Sequence, residues 1–159
     1  MRNLEIWSAD GRFGLRVEGR HVESILEFCK NAGEKETGGV LIGFYTDDLK
    51  CAVVTQTIGP PKDSQSGGTW FYRGVEGLQR FINAIWRRKR HYYLGEWHYH
   101  PHAPANPSFV DIKQMKSIAD TDSYLCPEPV LLIIGGDPTS RWHSRAFVFP
   151  KDEEMRELR

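Results

Sequence analysis

The chain has 159 residues, 40% of them hydrophobic and 12% aromatic, and its 21 basic side chains balance 21 acidic ones. That length and composition suit a single globular domain over residues 1–159, and they exclude a disordered or low-complexity chain. The neutral balance offers no general attraction to nucleic acid or to an anionic membrane, and no apolar run is long enough to span one. With no signal-peptide pattern at the N-terminus, the expected compartment is the cytoplasm.

Leu4–Ser8 and Phe13–Val17 read as strands around the turn signal Asp10-Gly11. Val22, Ile25, Leu26 and Cys29 recur at helical spacing, so His21–Asn31 is an amphipathic helix that ends at Gly33. Gly39–Tyr45 and Cys51–Ile58 are strands around Asp47-Asp48, and Gly59–Gly68 is a loop by composition. Thr69–Tyr72 reads as a short strand. Val75, Leu78, Phe81, Ile82, Ile85 and Trp86 mark a second helix, and the basic run Arg87-Arg88-Lys89-Arg90 suits its C-terminus. Tyr92–Tyr99 is an aromatic strand closed by Pro101, and His102–Pro107 is a proline-punctuated loop. Ser108 opens a third helix that runs to about Ser123. Pro129–Gly135 and Arg141–Phe149 are late strands, and Lys151–Arg159 is a charged tail with one or two helical turns. The mixture predicts an α/β (α+β) fold, a curved mixed sheet flanked by helices.

Cys29, Cys51 and Cys126 have no C-x-x-C spacing and suit reduced thiols; a cysteine nucleophile is the weaker enzymatic reading. The chemistry gathers instead around His98-Tyr99-His100-Pro101, Ser108 and Asp111. On a strand, His98 and His100 project to one face, and Trp97 and Tyr99 to the other. Two imidazoles and a carboxylate form the ligand set of a hydrolytic zinc ion. Taken singly, each part has a plainer reading: an exposed histidine pair, and a capping box in Ser108-Phe109-Val110-Asp111. A non-ligating carboxylate is also needed as general base, and Glu36, in Glu36-Thr37-Gly38-Gly39-Val40-Leu41-Ile42-Gly43, fits that need. Its plainer reading is a solvated turn residue. Glu96 reads either as a partner for a ligand histidine or as an exposed strand residue, and His102 as a solvent-facing loop residue.

Together these segments resemble the JAB/MPN (JAMM) metalloprotease family. Glu36, Gly39, Leu41 and Gly43 match its E-x-x-G-x-L-x-G, and His98, His100, Pro101, Ser108 and Asp111 match its H-x-H-P, serine and aspartate spacing. The likeness covers roughly Gly33 to Gly136. It implies the JAB/MPN (cytidine-deaminase-like) fold and one Zn2+ per chain, held by His98, His100 and Asp111. It further implies Glu36 as general base and Ser108 as donor to the oxyanion. The run Leu94-Gly95-Glu96-Trp97-His98 and the short length look like the small bacterial JAB proteases of CBASS anti-phage operons. That implies an isopeptidase acting on an extended C-terminal tail, with a conjugated CD-NTase (cyclic-nucleotide synthase) as substrate. An E1–E2-like transferase would make the conjugate; no nucleic acid or membrane takes part. A processing protease for a ubiquitin-like or sulfur-carrier protein and a catalytically silent scaffold remain as alternatives. The loops Gly59–Gly68 and His102–Pro107 are the expected groove walls.

Overall fold

A computed structural model describes all residues from Met1 to Arg159. In chain order the strands are β1 (Leu4–Trp7), β2 (Gly14–Val17), β3 (Thr37–Tyr45), β4 (Cys51–Ile58), β5 (Gln65–Ser66), β6 (Phe71–Tyr72), β7 (Tyr92–Pro101), β8 (Val130–Gly136), β9 (Trp142–Val148) and β10 (Arg156–Leu158). The helices are α1 (Gly19–Ala32), α2 (Leu78–Lys89) and α3 (Phe109–Asp120), with a short 3-10 turn at Asp122–Tyr124. Eight strands form one mixed sheet in the order β1-β2-β4-β3-β7-β8-β9-β10, and β5 and β6 form a separate hairpin. The two ends of that order meet. Trp7 N donates to the Arg159 carbonyl at 3.0 Å, and Arg159 N donates to the Trp7 carbonyl at 2.9 Å. The sheet therefore curls far enough for its two edges to touch, and one residue pair bridges them.

Alternation along the strands divides the core. Leu41, Val54, Trp97, Tyr99, Leu132 and Ala146 pack on the face covered by α1, which contributes Val22, Ile25, Leu26 and Cys29. Val40, Ile42, Leu131, Ile133 and Phe147 point the other way, toward Leu78 and Ile85 of α2 and Met115 and Ile118 of α3. In β7 this alternation is interrupted. Leu41 pairs with Gly95 but Ile42 pairs with Tyr93, so Leu94 is an extra residue, a β-bulge. As a result Glu96, His98 and His100 share the α2/α3 face with Tyr93. Strict alternation would have put them on the α1 face with Leu94. Gly95 has φ +154°, and a Cβ there would lie 1.9 Å from the Val130 carbonyl oxygen, so the bulge requires glycine.

Several expectations need correction. The tail forms no helical turn: Arg156–Leu158 pairs antiparallel with β9, and Leu158 is buried in the core. Burial of that one apolar residue, with an Arg145–Glu157 ion pair at 2.8 Å beside it, outweighs the charged composition. α3 stops at Asp120, where Thr121 leaves helical geometry. α2 begins only at Leu78 and buries Leu78 and Ile85, while Val75 and Trp86 stay exposed. Pro101 belongs to β7, opposite Gly136, and it is His102 N that donates to Gly136.

Candidate metal centre

His98 and His100 lie near the C-terminal end of β7, held from both sides. Gly38 of β3 pairs with His98 on one flank, and Ile133 and Gly135 of β8 pair with the two histidines on the other. Trp97 and Tyr99 point to the opposite face, where Trp97 Nε1 donates to the Ile58 carbonyl at 2.9 Å and locks the strand. Gly38 is bare for a reason: a Cβ would sit 2.7 Å from the Phe71 ring and 2.8 Å from the His98 ring. The space lets Phe71 of the β5–β6 hairpin set its edge on His98, with ring centroids 5.7 Å apart.

Asp111 arrives from α3, and the capping box delivers it. Ser108 Oγ accepts from Asp111 N at 3.0 Å, and Asp111 Oδ2 accepts from Ser108 N at 2.8 Å. The cap fixes the carboxylate in the first helical turn, where the macrodipole also favours negative charge. Its oxygens face the histidines. Asp111 Oδ1 is 2.9 Å from His98 Nδ1, and Oδ2 is 3.3 Å from His100 Nε2. All three residues are buried, and their candidate ligand atoms lie within 4.8 Å of one another. The separations approach the edge of about 3.3 Å expected of a tetrahedral ion with bonds of about 2.0–2.1 Å. The donor set of two imidazoles and one carboxylate thus fits a borderline divalent metal and leaves a coordination position for water.

The electrostatics are those of a charge-rich pocket. Burial works against an ionised Asp111, but bonds from His100 and His98 outweigh it and hold the carboxyl far below the ordinary range. Burial likewise works against a charged His100 ring, and Asp111, with help from Glu36, raises its pKa. Glu36 precedes β3. One step beyond the Thr37–Tyr99 pair, the register carries it to the level of His100. It is half-buried, and Glu36 N donates to the Gly67 carbonyl at 2.8 Å, which ties it to the hairpin. Burial pushes its carboxyl up; the His100 ring opposes this and Asp111 adds to it. Ser108 is exposed, and because its Oγ serves the cap as an acceptor, its proton stays free to be donated.

All five residues singled out from the sequence therefore come to one end of the sheet. Glu96 is not an exposed strand residue. It is fully buried, with the Arg73 guanidinium 2.5 Å away. Arg73, in the loop after β6, carries no sequence signal and was not anticipated. His102 is exposed at φ +55° and lies outside the centre. The three cysteines are buried, and burial pushes the Cys29 and Cys126 thiols up to about 12. A thiol so held is no nucleophile at neutral pH. No helix is long and apolar enough to cross a membrane.

A curled mixed sheet with a His-His-Asp cluster at one end and a half-buried glutamate beside it defines a metal-centre α/β protein of hydrolytic type. The pattern described as prokaryotic homologs of the JAB domain matches residues 18–148, and the chain belongs to that family. A protein of Enterobacter hormaechei subsp. hoffmannii, named "CD-NTase/cGAS isopeptidase", is 38% identical over all of this chain and 88% of its own length. "Probable metalloprotease y4qB" of Sinorhizobium fredii is 28% identical, over 80% of this chain and 78% of its own. The solution structure of protein DSY2949 from Desulfitobacterium hafniense overlays at a TM-score of 0.59 and 20% identity, covering 87% of this chain and 86% of that one, and supports the fold. The chain is an enzyme of the peptidase class.

Proposed function

We propose that the protein is a zinc-dependent isopeptidase that releases proteins conjugated through an extended C-terminal tail, with a CD-NTase as the conjugated protein. The observation that carries the chemistry is the buried set of His98, His100 and Asp111 with Glu36 at the level of His100. The likeness, over all of this chain and 88% of a protein named CD-NTase/cGAS isopeptidase, supports the substrate. The JAB/MPN resemblance further implies that an E1–E2-like transferase makes the conjugate in CBASS defence, and that no nucleic acid or membrane takes part.

His98, His100 and Asp111 would hold one zinc ion. When bound, zinc supplies Lewis acidity and acidifies a water at neutral pH. Glu36 takes a proton from the attacking water as its oxygen bonds to the carbonyl carbon. Ser108 gives a hydrogen bond from its free hydroxyl, keeping its proton, to the oxygen on which charge develops. Glu36 then returns its proton to the departing amine as the carbon–nitrogen bond breaks, so no covalent intermediate with the protein forms. A raised Glu36 carboxyl suits both halves of this exchange.

The rim favours an extended tail. Trp70 and Tyr72 flank Phe71 on the hairpin and are exposed, and Phe109 and Val110 beside Ser108 are exposed as well. Exposed apolar side chains on both sides of one centre mark a binding surface. The reading is tested with a fusion of a CD-NTase tail to an unrelated protein. Wild type loaded with zinc cuts it once, after the last tail residue. Glu36→Gln binds zinc equally and does not cut. Near-normal turnover by zinc-loaded Glu36→Gln would remove Glu36 from the mechanism, and efficient cutting of ubiquitin chains with the fusion left intact would overturn the substrate.

A further inference from the structure

Three buried polar atoms on the α2/α3 face lack hydrogen-bond partners: Glu96 Oε2, His98 Nε2 and the Tyr93 hydroxyl. The first two are chemically complementary, although they are not hydrogen-bonded to each other. Glu96 is fully buried; its Oε1 accepts from Arg73 Nε, while its Oε2 bonds nothing. His98 is 2% exposed; its Nδ1 faces Asp111, and its Nε2 bonds nothing. Glu96 and His98 are two positions apart on β7 and on the same face, opposite Leu131 and Ile133 of β8. The carboxylate is placed from the far side. Arg73 donates to Glu96, to the Gly74 carbonyl at 2.9 Å and to the Tyr124 hydroxyl at 2.8 Å, so the guanidinium is committed on three sides.

An imidazole nitrogen that ligates a metal carries no proton. The ring's proton then sits on the other nitrogen and needs an acceptor, and that acceptor fixes both tautomer and ring angle. The His98 nitrogen that faces the Asp111 carboxylate is Nδ1, at 2.9 Å, which makes it the ligating one in this reading. Nε2 is then the protonated one, and the unpartnered carboxylate oxygen on its face is Glu96 Oε2.

We propose that Glu96 is a positioning residue of the metal centre: with the ion bound, Oε2 accepts a hydrogen bond from His98 Nε2–H, which presents Nδ1 to the ion, and Arg73 holds the carboxylate in place. This rests on the reading of His98 as a metal ligand. Phe71, edge-on to the His98 ring, confines it further. The network thus ties the ligand histidine to Arg73, which directly follows β6, so the hairpin over the centre and the orientation of a ligand share one anchor.

The test uses the full chain and zinc alone. In wild type with 15N-labelled histidine and bound zinc, His98 is expected to ligate through Nδ1 and to show a hydrogen-bonded proton on Nε2 in NMR spectra. Zinc affinity, measured against a chromophoric chelator, should fall about 10–100-fold in Glu96→Gln. The same loss is expected in the double variant Arg73→Met/Glu96→Leu, which leaves no unpaired charge and so folds even if Glu96→Gln does not. A folded double variant that binds zinc within about twofold of wild type would make Glu96 only the counter-ion of Arg73 and overturn the proposal. Ligation of wild-type His98 through Nε2 would overturn it while sparing the metal-centre reading. Wild type that takes up no zinc at His98 would remove both.

Discussion

Replacing Arg73 with Met tests how much the fold depends on the ion pair behind the metal centre. Methionine keeps much of the volume and removes the charge. Glu96 then stays fully buried with no cation, since Arg73 is its only ion-pair partner and both side chains are at most 3% exposed. The Gly74 carbonyl and the Tyr124 hydroxyl lose a donor as well. Breaking one side of a buried pair typically costs about 3–5 kcal/mol, because a charge is left without compensation. Against a total of about 5–15 kcal/mol, that is a large fraction of the stability. At about 2–4 °C per kcal/mol for a chain of this size, the melting temperature should fall by about 6–20 °C. Urea and thermal unfolding at pH 7, with chelator present so that metal binding does not contribute, measure both quantities. The double variant Arg73→Met/Glu96→Leu should recover most of the loss, since an apolar pair of similar volume replaces an ion pair at little cost. A loss below about 1 kcal/mol in the single variant, or an equal loss in the double one, would refute the view that an uncompensated carboxylate is the cause.

Three further outcomes follow from the same geometry. Ser108→Ala should keep zinc, lose about 1 kcal/mol of stability with its cap and lose about 10²–10³ in kcat; unchanged turnover on the tail fusion would take Ser108 out of the reaction. Alkylating reagents should leave the activity of the folded protein intact, because Cys29, Cys51 and Cys126 are all buried; inhibition that tracks modification of Cys126, with zinc retained, would revive a thiol mechanism. Gly95→Ala should unfold the protein or abolish zinc uptake, since its Cβ would collide with the Val130 carbonyl; a stable variant with wild-type zinc affinity, measured by elemental analysis, would show that the bulge is dispensable.

The candidate site was legible where its geometry is local. The i, i+2 spacing of the histidines fixes a common face whatever the fold, and Ser108 with Asp111 declares a helix start that the structure reproduces as a full capping box. α1 was legible because its four apolar positions are all buried on one side. The rest depended on partners distant in sequence. Glu96 looks like a strand residue free to face solvent until Arg73, 23 positions earlier, is seen beneath it. The last strand was hidden because Arg156-Glu157-Leu158 offers one apolar side chain, and it is pairing with β9 that orders it. α2 misled through composition: six apolar residues suggested a broad buried face, yet Val75, Phe81 and Trp86 are exposed.

Which face the histidines occupy was not legible at all, and function turns on it. The i, i+2 rule says that His98 and His100 agree with each other, but not with which layer of the core. Leu94 packs with the α1 layer, and an uninterrupted strand would send Glu96, His98 and His100 after it, away from α3 and from Asp111. The extra residue at the bulge reverses that parity, and only glycine fits where the chain then passes the Val130 carbonyl. The bulge also brings Glu96 to the Arg73 side, where a buried carboxylate has a cation waiting. A bulge at Leu94, four residues before the first histidine, therefore decides three things together: that Asp111 can join the histidines, that Glu96 can be buried with compensation, and that Trp97 can anchor the strand through Ile58 on the other face. Gly95, inside the histidine strand, thus shapes the candidate metal centre as much as its candidate ligands do, although it contributes no ligand atom.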